Sequence, residues 1–231
     1  MPVVVEGRTV SSPFLQKPFR LMVCGGSGCG KSLFVKELVE KNYFASSFDK
    51  IIYNYPEYLN EIPLELDVDV ECKKGLLTQE YFASVPRNTL VILDDLMLEV
   101  GCAKEIVKLF AVTARKRDIS LILITQNVYH QSRHFRNIRL NATGFVLFKF
   151  YAGTDVNFRL IRDLGMQSIL PKKLLDEIYT ERYQYIFIDI HPDCQYDFGR
   201  CRGNIFEKYI SVYNKMEYIA LPKSEFENIL K

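Results

Sequence analysis

Apolar and polar positions fall in blocks along this chain. Phe19 to Cys24 (FRLMVC) is a short apolar run that stops at two glycines, the pattern of a buried strand. From Lys31 to Lys41 the apolar residues Leu33, Phe34, Val35, Leu38 and Val39 fall at helical spacing. Ile51 to Tyr55 reads as a second strand. Residues 56–80 are polar and acidic and read as loops with one short helix at most. Thr89 to Leu93 (TLVIL) predicts a third strand that runs straight into Asp94-Asp95, and Ala103 to Arg117 a helix. Ile119 to Thr125 (ISLILIT) is almost continuously apolar, as a strand covered on both faces must be. Gly144 to Phe150 is a fifth strand, Asp155 to Leu164 and Lys172 to Thr180 are helices, and Tyr183 to Ile190 is a last strand. Strands alternating with helices predict an α/β fold whose mostly parallel central sheet is flanked by helices on both sides.

The 231 residues suit one sizeable α/β domain and are few for two. A composition of 48% hydrophobic and 25% charged residues excludes a disordered chain. The net charge of +2 says nothing of nucleic acid, but its distribution does. Between Lys104 and Lys149 nine Lys or Arg residues face only Glu105 and Asp118, so the middle of the chain offers an anion-binding face. The plainer reading is a solvated helix face followed by a basic loop.

None of the six cysteines forms a C-x₂-C pair, and no Cys/His cluster resembles a zinc site. Cys24 and Cys29 flank or lie within a glycine-rich loop, where a disulfide would hinder ligand binding, so free thiols in a reducing compartment are expected. Met1 to Ser12 lacks the apolar core of a signal peptide, and the apolar runs are strand-sized, so no membrane span is expected.

Gly25-Gly26-Ser27-Gly28-Cys29-Gly30-Lys31-Ser32 fits G-x-x-x-x-G-K-[ST] in full, between a predicted strand and a predicted helix. The spacing has a physical reason. Glycines let the backbone curl so that successive N–H groups point at phosphate oxygens, and the helix N-terminus adds its positive end. Lys31 would reach the β- and γ-phosphates of ATP, and the Ser32 hydroxyl would ligate Mg²⁺. A carboxylate ending a hydrophobic strand completes such a site. Asp94 would hold the metal, directly or through water, and Asp95 would act as general base toward the attacking water. An Asp pair capping the next helix is the plainer alternative.

The following strand ends in Thr125-Gln126-Asn127. In P-loop ATPases that insert a strand between the P-loop strand and the acidic strand, this tip lies near the γ-phosphate. Gln126 is the candidate sensor and Asn127 the runner-up, against ordinary turn chemistry. Thr113 to Asp118 (TARKRD) closes the preceding helix, where cations are favourable in any case. The sharper reading is an arginine finger serving a neighbouring subunit, since one chain cannot easily bring that end of the helix to its own phosphates. Arg133, His134, Arg136 and Arg139, interleaved with Tyr129 and Phe135, would suit a pore loop touching the DNA backbone.

GGSGCGKS, TLVILDDLM, and ARKRDISLILITQN followed by NATGFVLFKF together resemble the HerA–FtsK superfamily of DNA-pumping ATPases. Within it the sequence is similar to the genome-packaging ATPases of double-stranded DNA viruses, the poxvirus type, virophages and virus-like transposons included. The resemblance spans residues 19–206. It implies a RecA-like P-loop NTPase core, a homo-oligomeric ring of five or six subunits, and ATP-driven movement of double-stranded DNA into a capsid. It places the trans arginine at Arg115, with Arg117 close enough to leave the choice open, and the sensor at Gln126. Cellular members usually carry Asp-Glu where this chain has Asp94-Asp95, one methylene shorter. Residues 1–18 are then an arm, 19–206 the ATPase domain, and 207–231 a tail that packs on the core or serves as an interface arm. A capsid vertex or portal protein is the expected further partner, and the interior of an infected cell the expected location, with transient residence at the capsid. A plasmid or cellular translocase or conjugation ATPase, and a low-turnover ATP-dependent assembly switch, are the alternatives.

Overall fold

A computed structural model describes residues 15–56, 69–75, 77–96, 102–129, 133–150, 155–164, 175–176, 178–192, 201–203, 205, 209–213 and 218–222. The parallel strands are β1 (Arg20–Cys24), β2 (Lys50–Tyr55), β3 (Asp69–Lys74), β4 (Thr89–Asp94), β5 (Ile119–Thr125) and β6 (Gly144–Phe148). β7 (Tyr185–Asp189), β8 (Cys201–Gly203), β9 (Tyr209–Tyr213) and β10 (Tyr218–Pro222) extend the sheet antiparallel from β6. The sheet order is β10-β9-β8-β7-β6-β1-β5-β4-β2-β3. The expected mostly parallel sheet is therefore present, and β5 lies between the P-loop strand β1 and the acidic strand β4.

Strand alternation sorts the core into two layers. Leu21, Val23, Leu90, Ile92, Ile122 and Ile124 face the layer that holds Phe34, Val35 and Leu38 of α1 (Lys31–Glu40). Met22, Val91, Leu93, Leu121 and Leu123 face the other. That second layer holds residues from α2 (Gln79–Ser84), α3 (Cys102–Lys108), α5 (Arg133–Asn141) and α6 (Asp155–Asp163). All seven residues of β5 are buried. Truncating one of its isoleucines to alanine would cost about 2–5 kcal/mol. The centre of the sheet is thus rigid apolar packing, and chemistry is left to the strand ends.

Two expectations need correction, and a third needs refinement. The polar stretch 56–80 contains an edge strand, β3. Its sequence DVECKK sets only Val70 and Cys72 against the core, among charged residues, and it is held by backbone pairing to β2 and by side-chain charges. Lys50 lies 2.6 Å and Lys73 2.5 Å from Glu71. These bonds hold the Glu71 carboxyl down at about 2. A depressed carboxyl stabilises the fold above its unfolded pKa and loses that contribution as pH falls through the folded one. Glu71→Gln is therefore expected to lower the thermal midpoint at neutral pH, with the difference from wild type closing between about pH 4.5 and about pH 2, as a melting series would show. Solvent exposure keeps the effect small.

The helix expected over residues 103–117 is present and runs without interruption, but its register shifts once. α3 gives way to a π-helical turn, Leu109–Thr113, before α4 (Ala114–Arg117). The basic segment after β5 is a helix, α5, and not a loop. Phe135 and Ile138 are buried against the core, which turns the segment amphipathic. Arg139 packs 4.4 Å from the Tyr129 ring and 3.9 Å from Asp163 instead of reaching out. The side chain of Arg133 lies outside the described residues. Of the helix expected over Lys172 to Thr180, residues 175–176 and 178 are helical, and Tyr179 N–H bonds Leu175 O at 2.9 Å. Among the described residues no helix is long and apolar enough to cross a membrane.

Candidate nucleotide site and its geometry

The loop Gly25–Gly30 joins β1 to α1 and ends the sheet on the same edge as Asp94 and Gln126. Two glycines are required there. A Cβ at Gly25 would lie 2.5 Å from Cys29 Sγ and 2.7 Å from Phe148 Cβ. Gly30 sits at φ +99°, a left-handed conformation that side chains resist. Cys24 and Cys29 are buried free thiols, as expected, and burial pushes both up, away from reactivity. α1 has neither a side-chain cap nor an acidic residue in its first turn, so no side chain of the helix's own start neutralises its positive end. The Lys31 ammonium donates to Gly25 O at 2.9 Å and Gly26 O at 2.8 Å, folded over its own loop. Ser32 follows, exposed in the first turn.

Gly25 N–H bonds Thr125 O at 3.3 Å, and Asp94 pairs with Ile124 in the ladder. Neighbouring strands lie about 4.8 Å apart, which sets the P-loop strand about 10 Å from the acidic strand, with the β5 tip between them. Asp95 takes a left-handed backbone, φ +49°, and its N–H bonds Ile124 O at 3.2 Å. Its carboxylate Oδ2 accepts from Gln126 Nε2 at 2.6 Å. Asn127 is a turn residue: its Oδ1 accepts from Tyr129 N–H at 2.8 Å. Gln126, and not Asn127, is therefore the side chain joined to the acidic pair. A residue missed in the sequence completes the group. Tyr53, buried on β2, donates its hydroxyl to Asp94 Oδ2 at 2.5 Å.

Burial, with Asp95 adding to it, raises the Asp94 carboxyl above its ordinary value, against opposing help from Tyr53 and Lys31. The folded pKa thus lies above the unfolded one. The cost of ionising Asp94 is absent below the unfolded pKa and complete once pH passes the folded one. Asp94→Asn is expected to raise the thermal midpoint at neutral pH and to leave it unchanged in acid. A melting curve of the nucleotide-free protein checks this.

Arg115 is placed elsewhere. It stands exposed on α4, at the N-terminal end of β5, with no hydrogen bond or ion pair to a described residue. The seven residues of β5 span about 20 Å, so Arg115 and Gln126 mark opposite edges of the sheet. Arg117 is tied down, donating from Nη2 to Val85 O at 3.1 Å.

A glycine cradle leading into a helix, an acidic strand two places away and a polar strand tip between them define a P-loop NTPase of the inserted-strand kind. The chain belongs to the poxvirus A32 protein family, whose model matches residues 8–147. No curated protein matches it. Among solved structures it is similar to the genome packaging NTPase B204 from Sulfolobus turreted icosahedral virus 2 in complex with ATP-γS. The two share 15% identity with a TM-score of 0.52, over 85% of this chain and 97% of that one. EssC (ATPases 2 and 3) from Geobacillus thermodenitrificans matches at 12% identity and a TM-score of 0.44, over 62% of this chain and 34% of that one. The B204 likeness carries the fold alone.

Proposed function

We propose that this chain is the subunit of a ring-shaped, ATP-hydrolysing motor that drives double-stranded DNA into a viral capsid. The observation that carries the reading is the convergence of Lys31, Asp94, Asp95 and Gln126 on one sheet edge while Arg115 stands on the other. Membership of the poxvirus A32 family and the B204 fold give it context.

The donor set suits Mg²⁺. Asp94 and Ser32 are hard oxygen donors, and two adjacent carboxylates are balanced by little positive charge except Lys31. Among the described residues no cluster of three or more His, Cys, Asp or Glu exists, which fits a metal that shares its shell with phosphate oxygens and water. Mg²⁺ would neutralise charge on the β- and γ-phosphates. Lys31 exchanges the Gly25 and Gly26 carbonyls for phosphate oxygens. Tyr53 fixes Oδ2 of Asp94, and the remaining oxygen is the one that would hold the metal. Asp95, held by Gln126, orients the lytic water and accepts its proton. Arg115 serves the γ-phosphate of the neighbouring subunit, and the tether on Arg117 leaves Arg115 the freer of the two.

Residues 19–206 form the motor in this reading, residues 1–18 an arm, and the strands within 207–231 an extension of its sheet. A capsid vertex or portal protein is the docking partner, in an infected cell. Duplex DNA should stimulate Mg²⁺-dependent ATP hydrolysis by the purified protein. A turnover indifferent to both DNA and Mg²⁺ would rule the motor out.

A further inference from the structure

On the sheet edge opposite the P-loop lies a cavity of about 660 Å³ lined by Arg20, Arg87, Arg115, Lys116, Asp118 and His191, with the π turn forming one wall. Its charge is unbalanced. Four permanent cations share one carboxylate, and Asp118 also acts on Lys17. Arg20 is the deepest of them. Its Nη1 donates to Phe110 O at 3.3 Å, while its Nε is buried without a partner. Burial, and then the Arg115 charge, disfavours its guanidinium. Two neighbouring cations, one of which carries an unused buried donor, are costly unless an anion joins them. The π turn adds an independent sign. It shifts the helix register just before Arg115, and such insertions gather at functional sites. Arg20 fastens this turn through the Phe110 carbonyl, so the turn and the cavity are one construction.

The volume lies within the range of small-molecule sites. A recess with a half-buried guanidinium in its lining suits the compact end of a polyphosphate. A duplex backbone is better served by exposed cations along a surface.

We infer that this cavity receives the terminal phosphates of a nucleoside triphosphate held in the P-loop of an adjacent copy of the chain, with Arg20 and Arg87 acting beside Arg115. The inference rests on the ring reading above for the source of the phosphate, but not for the receptor itself. Arg20 supplies the guanidinium N–H donors that the Phe110 carbonyl leaves unused, and Arg87, exposed on the turn before β4, adds a second guanidinium.

Two measurements test it. The first uses inorganic tripolyphosphate as probe and the Lys31→Ala protein, whose own P-loop lacks its cation. Calorimetry should show binding that weakens about tenfold or more when Arg20→Gln and Arg87→Gln are added. Arg87→Gln alone, on an exposed turn, guards against a folding defect and should weaken it in the same direction. Binding indifferent to these changes would overturn the receptor, whatever the fate of the motor reading. The second mixes Lys31→Ala subunits with Arg20→Gln/Arg87→Gln subunits. ATP turnover should exceed that of either alone, because an intact P-loop then meets an intact cavity. Cavity-dependent tripolyphosphate binding with no recovery in the mixture would assign the site to phosphate from solution and overturn the trans source. Loss of DNA-stimulated turnover in the wild type would strike the motor reading and leave the calorimetry to decide the cavity.

Discussion

Arg115→Ala is expected to cut ATP turnover about 10³-fold or more, the range an arginine finger supplies, with the thermal midpoint unchanged. The stability half of this follows from the surroundings. Arg115 is exposed on α4 and bonds no described residue, so its loss opens no cavity and strands no partner. The catalytic half follows from distance. The chain's own Gln126 lies a full strand away, about 20 Å, too far for one side chain to bridge. Doping Arg115→Ala into wild type should lower turnover more steeply than dilution, because each variant subunit disables a neighbour's site. Arg117→Ala should show the converse, a lower midpoint from losing the Val85 carbonyl and a smaller change in turnover. Steady-state rates across a mixing series, with melting curves of each variant, separate the two arginines.

Lys31→Ala is expected to lower turnover on the order of 10²–10³-fold, as removal of a preorganised donor from developing charge does. Nucleotide affinity should fall as well, since Lys31 is the cation nearest the loop and one of the few charges offsetting Asp94. The nucleotide-free fold should tolerate the change. Lys31 is only half-buried, and of the two carbonyls it releases that of Gly26 belongs to a half-exposed residue. Equilibrium binding of an ATP analogue, run beside the ATPase assay, gives both numbers. Unchanged hydrolysis would mean that Gly25–Ser32 is not the working site.

The parts of this structure that the sequence made visible are those buried on both faces. β1, β4, β5 and β6 are continuous apolar runs because helices cover them on either side, and such runs leave little alternative. The glycine cradle was equally legible, since Gly25 and Gly30 answer backbone demands that other residues meet poorly. Strand order was not encoded locally. β5 was expected between β1 and β4 only through the class of fold, and Tyr53 could not be joined to Asp94 without knowing that β2 lies beside β4. Edge strand β3 was hidden because its apolar alternation is only two residues long, Val70 and Cys72, and is set among charges. The π turn was hidden because Leu109 to Thr113 reads as ordinary helix; the register shift depends on contacts such as Arg20 to Phe110 O from a distant strand. In α5, Phe135 and Ile138 did carry helical spacing, and the surrounding basic residues drew the reading toward a loop.

In the proposed ring, half of each nucleotide site comes from the next copy of the chain. Electron microscopy of the protein with an ATP analogue and duplex DNA tests it most directly. A closed ring around DNA, with Arg115 of one copy against the phosphates cradled by Gly25–Ser32 of the next, is the predicted result. Isolated subunits, or a nucleotide that meets no residue of a second copy, would contradict it.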